Sequence, residues 1–294
     1  MTTEDMEAGS CDGPASHTYV SQRLKLHYVD WGNHGAPVVV LIHGGRDHAR
    51  SWDDVARGLR DQWHVVAVDL RGHGDSDWSP DGAYTAPYMV TDLAQLIDRF
   101  GPAPVSIVAH SLGGSLSLRY AGIFPEHVRR IAAIEGVGLN DEDARKPAVE
   151  RWRTFVKQRA ASSARSHRRY ATLDEAVARM KANNVHLSDA RARHLTTHAV
   201  VRNADGTFSW KFDPFSVADY PDDISNEERK ALWRRIDCPV WLVHGADSWA
   251  KHPGKDGRAD IFAKAHVTSF ERAGHWVHHD RLDAFVAELR AFLA

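Results

Sequence analysis

The run AHSLGG at residues 109–114 sets one hydroxyl, that of Ser111, between a stretch of small apolar residues and a pair of glycines. A serine on a sharp turn from strand to helix is held out above a sheet instead of being packed into it. Such a turn needs small neighbours, because backbone and helix approach closely there; Ala109, Gly113 and Gly114 are those neighbours. The helix that follows aims its free N–H groups and positive dipole end at whatever the hydroxyl attacks. In isolation the same serine would suit a plain helix N-cap. As a nucleophile it requires a base within hydrogen-bond reach.

Other chemistries find less support. No G-x-x-x-x-G-K-[ST] loop occurs, and no G-x-G-x-x-G follows the first apolar strand, so GRDH and RGHGDSD are not phosphate cradles. The two cysteines, Cys11 and Cys238, are far apart, and no Cys/His spacing resembles a zinc site. The nineteen histidines are scattered. In HWVHHD, two adjacent histidines cannot both face one ion without distortion, so no metal and no cofactor are expected.

The elements that must position Ser111 are legible as a repeated plan. PVVVLIHGG (37–45), HVVAVDLRGHGDSD (64–77), PVSIVAHSLGG (104–114) and VRRIAAIEGVG (128–138) each run from a buried apolar strand into a polar or Gly-rich loop. Amphipathic stretches such as SWDDVARGLRDQ and PYMVTDLAQLIDRF lie between them. This alternation predicts an α/β fold with a mostly parallel sheet flanked by helices, behind an antiparallel hairpin at 19–32. It stops near residue 138 and returns with CPVWLVHGAD (238–247) and HVTSFERAGHW (266–276). The expected organisation is a disordered leader at 1–17, a core of 18–138 and 237–294, and a helical cap, or lid, inserted at 139–236. In open α/β sheets ligands bind beyond the carboxyl ends of the strands, and every one of these loops falls at such an end.

LIHGG (41–45), DLRGHGDSD (69–77), AHSLGG and AGHWVHHD (273–280) resemble, in the same order, the signature loops of the α/β-hydrolase family. The likeness runs over nearly the whole chain from residue 20, with Ala109 where the family's G-x-S-x-G has its first glycine. It implies Ser111 as nucleophile and His275, after the last strand, as base, with His278 the rival. It places the orienting acid after the penultimate strand, at Asp247, although that loop more often has one further residue between Gly and Asp. Glu135, at the end of IAAIE, is the rival acid, because some relatives carry theirs after that earlier strand; Asp247 is the preferred reading. The resemblance gives the oxyanion hole to the backbone N–H groups of Gly45 and Leu112, in a loop shaped by His43 and Gly44.

A serine at the elbow suits attack on a carbonyl, whereas relatives that displace at saturated carbon use Asp there. The implied activity is a serine hydrolase of small carboxylic esters acting through an acyl-enzyme. The same triad would serve a C–C bond hydrolase of diketones, a lactonase or a cofactor-free perhydrolase. A non-catalytic ligand-binding member of the fold is the alternative of a different class. Residues 141–211 carry fifteen Lys/Arg against eight Asp/Glu. Without clustered aromatic stacking partners this excess does not read as nucleic-acid binding; it reads as a solvated helical face, with a carboxylate-bearing substrate the second reading. No membrane partner is expected, a cytoplasmic location follows from the cysteine usage and the polar N-terminus, and homodimerisation is left open.

Overall fold

The computed structural model describes residues 13–139, 146–163, 168–217, 221 and 223–294. Most of the expected leader and parts of the expected cap lie outside these residues. Ten strands are present among them: β1 (Ala15–Ser21), β2 (Leu24–Asp30), β3 (Val38–Ile42), β4 (His64–Val68), β5 (Val105–His110), β6 (Val128–Ile134), β7 (Val200–Arg202), β8 (Phe208–Trp210), β9 (Val240–Gly245) and β10 (Ala265–Phe270). Eight form one sheet in the order β1-β2-β4-β3-β5-β6-β9-β10, while β7 and β8 form a separate hairpin. From β4 to β10 the neighbours are parallel; β1, β2 and β4 pair antiparallel.

The apolar runs explain this order. All five residues of β4 and all six of β5 and β9 are buried, as strands covered on both faces must be. Successive side chains go to opposite faces. Val39 and Leu41 enter the core that contains Trp52, Trp241 and Phe285, whereas Val40 and Ile42 enter the one with Leu93, Tyr120 and Trp233. Burying each such aliphatic chain stabilises the fold by roughly 1.5–3 kcal/mol. The first core is covered by α1 (Asp53–Arg57) and the C-terminal α9 (Leu282–Leu293); the second by α2 (Ala86–Ile97) and α3 (Leu112–Ile123).

β1 begins at Ala15, inside the stretch read as leader, because its pairing with β2 extends to Asp30. After β6 the chain builds α4 (Ala148–Ser163), α5 (Leu173–Asn183), α6 (Asp189–Ala199) and the β7–β8 hairpin. Thr172 and Ser188 cap α5 and α6 through their hydroxyls. The next helix, α7 (Asn226–Arg234), falls within the expected cap yet packs on the core: Trp233 is buried against Phe262, and Arg235 donates to the Gly122 carbonyl at the end of α3. A capping box of Ser225 and Glu228 starts it.

Polar contacts tie the segment between β6 and α7 to the elements around the main sheet. His48 Nε2–H donates to Leu195 O (3.0 Å), Arg191 pairs with Asp54 (3.0 Å), and Trp78 Nε1–H donates to Lys211 O (2.9 Å). Arg169 and Arg193 pair with Asp205 and Asp174 on the cap itself. Of the basic residues in this stretch, Arg191 and Lys211 pair with carboxylates outside it, Asp54 and Asp75.

Candidate active site

β5 delivers its last residue, His110, to the carboxyl edge of the sheet, and Ser111 turns the chain into α3 with φ +49° and ψ −113°. A non-glycine residue in that region is strained, at roughly 1–3 kcal/mol, and persists only where surroundings over-determine it. Here the Ser111 amide donates to Ile134 O (2.8 Å) and its carbonyl accepts from Ser115 (3.1 Å). The helix presses so closely on β3 that a Cβ on Gly113 would lie 2.5 Å from His43 O and 2.6 Å from Ile42 O. No side chain fits there. Among the described residues the Ser111 hydroxyl has no hydrogen-bond partner, and the residue is half-buried.

The loop after β3 passes beside it. A Cβ on Gly44 would stand 3.1 Å from Ser111 Cβ and 2.7 Å from His110 Nδ1, whereas the same test at Gly45 meets nothing within 4 Å. His43, fully buried, fixes this loop. The Leu70 amide donates to its Nε2 (3.0 Å), so Nδ1 carries the proton and donates to Gly44 O (2.6 Å). Burial pushes its pKa down to about 3, keeping the ring neutral. Asp69, at the end of β4, binds the neighbouring loops: it accepts from Ala49 N (2.6 Å), Asp75 N (2.9 Å) and His27 Nδ1 (2.6 Å). Burial opposes its charge, but the bond from His27 and nearby donors win and hold its pKa at about 2. Among the described residues the Gly45 and Leu112 amides meet no acceptor; both belong to the segments that flank Ser111.

The carboxylate that meets His275 is Glu135. His275 Nδ1–H donates to Glu135 Oε2 at 3.3 Å, and the glutamate side chain is wholly buried. Glu135 takes φ +53° just beyond β6, with its amide on Val243 O (2.9 Å), which turns its side chain toward β9. There Gly245 N and Ser248 Oγ each donate to it at 2.7 Å. Burial alone would raise the carboxyl pKa; the bonds from His275, Gly245 and Ser248 outweigh it and leave the group below its ordinary value. The preferred Asp247 is exposed, and only its amide is engaged, on Ala273 O (2.9 Å). The turn closed by Ser248 N on Gly245 O (3.0 Å) sends the Ser248 hydroxyl inward onto Glu135.

His275 is tied to His110, the residue before the serine. The His110 Nε2–H donates to His275 O (2.9 Å), and the two rings lie 4.7 Å apart. The loop carrying His275 crosses β9 so closely that a Cβ on Gly245 would sit 2.2 Å from Gly274 O. The exposed Trp249 indole flanks the imidazole at 4.8 Å. His278 is turned away, stacked on Trp52 at 4.5 Å in full burial. Sequence reasoning missed His110, Ser248 and Trp249. The first is visible only as the residue before the serine, and the other two as the S-W that follows GAD. A cavity of about 410 Å³ between Trp78, Trp210 and Lys211 includes none of Ser111, Glu135 and His275 in its wall.

Residues 37–282 match the model of the alpha/beta hydrolase fold family. The chain is 26% identical to esterase Rv0045c of Mycobacterium tuberculosis over 100% of its own length and 94% of that protein. It is 30% identical to a serine hydrolase-like protein of Danio rerio, over 90% of this chain and 83% of that one. Among solved structures, the thioesterase domain from the curacin biosynthetic pathway superposes with a TM-score of 0.83 at 21% identity, covering 95% of this chain and 99% of the other. No helix among the described residues is long and apolar enough to cross a membrane. The chain belongs to the α/β-hydrolase fold family and is a carboxylic ester hydrolase-like enzyme.

Proposed function

We propose that the chain is a serine hydrolase of small carboxylic esters in which Ser111 is the nucleophile, His275 the base and Glu135 the orienting acid. The observation that carries this reading is the buried Glu135 carboxylate on Nδ1 of His275, a histidine bonded through its carbonyl to His110, which precedes the serine at its strained elbow. That contact leaves Nε2 as the imidazole's free acceptor. Ser111 Oγ attacks the ester carbonyl while its proton passes to Nε2; the same proton then goes to the departing alkoxide, leaving an acyl-Ser111. Water repeats the sequence and releases the acid. The developing oxyanion is met by the amides of Gly45 and Leu112, donors that need no reorganisation. Glu135 stays ionised throughout and steadies the imidazolium.

An esterase among the relatives, alike over nearly its full length, supports an ester as substrate. Among the described residues Ser111 and His275 share no direct hydrogen bond; such contacts tighten when substrate closes the site. The test is turnover of a short p-nitrophenyl ester, alongside a carboxylate-bearing ester, by the wild type and by Ser111→Ala. A loss of about a thousandfold or more in kcat is expected of the variant. Equal turnover by both proteins would refute the proposal.

A further inference from the structure

Behind the base, the structure carries a cluster that the triad does not use. His278 and His279 occupy the one-turn helix α8 (Val277–Asp280), and Asp47 lies in the loop after β3, two residues beyond Gly45. All three are buried, and one ligating atom from each lies within 4.8 Å of the others. Both ring nitrogens of His278 and Nε2 of His279 are buried without a hydrogen-bond partner. Buried polar atoms are normally satisfied, so three orphans in two adjacent rings call for a ligand. The Asp47 carboxylate accepts from Ser51 Oγ (3.0 Å) and from the His48 amide, and its remaining lone pairs can take a further partner.

We propose that Asp47, His278 and His279 form a binding site for one divalent first-row ion of the Zn²⁺ class, which ties the loop carrying Gly45 to the segment carrying His275. Two imidazoles and one carboxylate are a donor set that such ions take, with a fourth position left for water. Three atoms no more than 4.8 Å apart share a point within about 2.8 Å of each, so an inward movement of ~0.7 Å brings all three to Zn–N and Zn–O bond length. The adjacency of the histidines in sequence is not an obstacle here. Their ring centroids are 4.2 Å apart and their planes 40° from parallel, and the third donor comes from a different loop.

His279 also borders a cleft of about 400 Å³ with Arg191, Asp280 and Leu282. The opposing charge nearby is Arg191, which is itself engaged by Asp54 and by the His279 carbonyl. Three further groupings are weaker. Asp53, with His194 and His198, is already held by the Arg50 guanidinium, and Asp69, with His27 and Asp75, has its oxygens filled by backbone amides. Asp30, with His34 and His64, gives its two oxygens to His64 and the Gly32 amide, and His34 is exposed. The proposal uses none of Ser111, Glu135 and His275 as ligands, so it stands or falls apart from the catalytic reading.

The test is calorimetric titration of the chelator-stripped full chain with ZnCl₂, together with anomalous diffraction from crystals soaked in the same salt. One equivalent is expected, with a dissociation constant in the micromolar range or tighter and an anomalous peak between Asp47 and the two rings. Asp47→Asn and His279→Gln should each weaken binding at least tenfold, while Asp30→Asn leaves it unchanged. Should the variants fail to fold, the wild-type anomalous map decides alone. Absence of that peak, or its appearance at another cluster, overturns the proposal, as does unaltered affinity in folded Asp47→Asn and His279→Gln.

Discussion

Replacing Glu135 by Gln separates the two candidate acids. The substitution keeps the volume of a side chain that is wholly buried and keeps one oxygen for the Gly245 amide. It removes the negative charge opposite His275 and sets an NH₂ group, in place of Oε2, against both of the other donors, His275 Nδ1 and Ser248 Oγ. The imidazole then loses both the acceptor that fixes its tautomer and the charge that stabilises it when protonated. Loss of an orienting acid of this kind lowers kcat by roughly a thousand- to ten-thousandfold, or ~4–5.5 kcal/mol at about 1.36 kcal/mol per decade. Leaving Ser248 or His275 without its acceptor adds about 1–3 kcal/mol of destabilisation. Asp247 is exposed and makes no side-chain bond to His275, so Asp247→Asn should hold kcat within about threefold. Steady-state hydrolysis of a p-nitrophenyl ester by the three proteins, with melting curves to confirm folding, measures this. If Asp247→Asn lost as much activity as Glu135→Gln, or Glu135→Gln stayed within tenfold of wild type, the assignment of the acid would be wrong.

Three further outcomes follow from the supporting structure. Gly113→Ala drives a methyl group against two backbone carbonyls of β3 and its loop, neither of which can swing aside, and should destabilise by about 1–3 kcal/mol or more; calorimetry reads this as a lower Tm, and an unchanged Tm would remove the close-approach argument. Asp69 is ionised down to a folded pKa of about 2, against an ordinary value of 3.8, so it contributes about 2 kcal/mol that is fully present above the ordinary pKa and fades as pH falls toward 2. Urea unfolding between pH 5 and pH 2 should show that loss, and Asp69→Asn should flatten it; an equal slope in the variant would contradict the reasoning. His43→Leu strands the Leu70 amide and frees Gly44, which predicts a loss of about 1–3 kcal/mol in stability and a fall in kcat/KM, while ¹⁵N spectra of the wild type should show a neutral Nδ1–H ring at pH 7. A protonated ring at that pH would overturn the tautomer.

Much of this architecture is legible in the amino-acid order, because the strands beneath the site are apolar on both faces. VVVLI, HVVAV and VSIVAH cannot be placed elsewhere than inside a parallel sheet, and the glycines after Ser111 announce a helix that must touch its neighbour strand. The acid was less legible. Which carboxylate meets His275 depends on the direction in which two side chains leave their strands, set by the left-handed backbone at Glu135 and by the turn that Ser248 N closes on Gly245 O after β9. Neither is a matter of composition. The packing of α7 was hidden for a similar reason: the helix is mostly polar and joins the core through a buried indole, Trp233. The approach of Asp47 to His278 and His279 is a product of tertiary folding alone, since the loop and the one-turn helix that carry them lie at opposite ends of the sequence.

The central claim, that Ser111 becomes covalently acylated with His275 as its base, is met most directly by labelling with a fluorophosphonate followed by intact-mass and peptide mass spectrometry. One adduct per chain, located on Ser111 and much slower to form in His275→Ala, is the predicted result. An adduct on any other residue, or continued ester turnover by a protein that takes up no label, would contradict it.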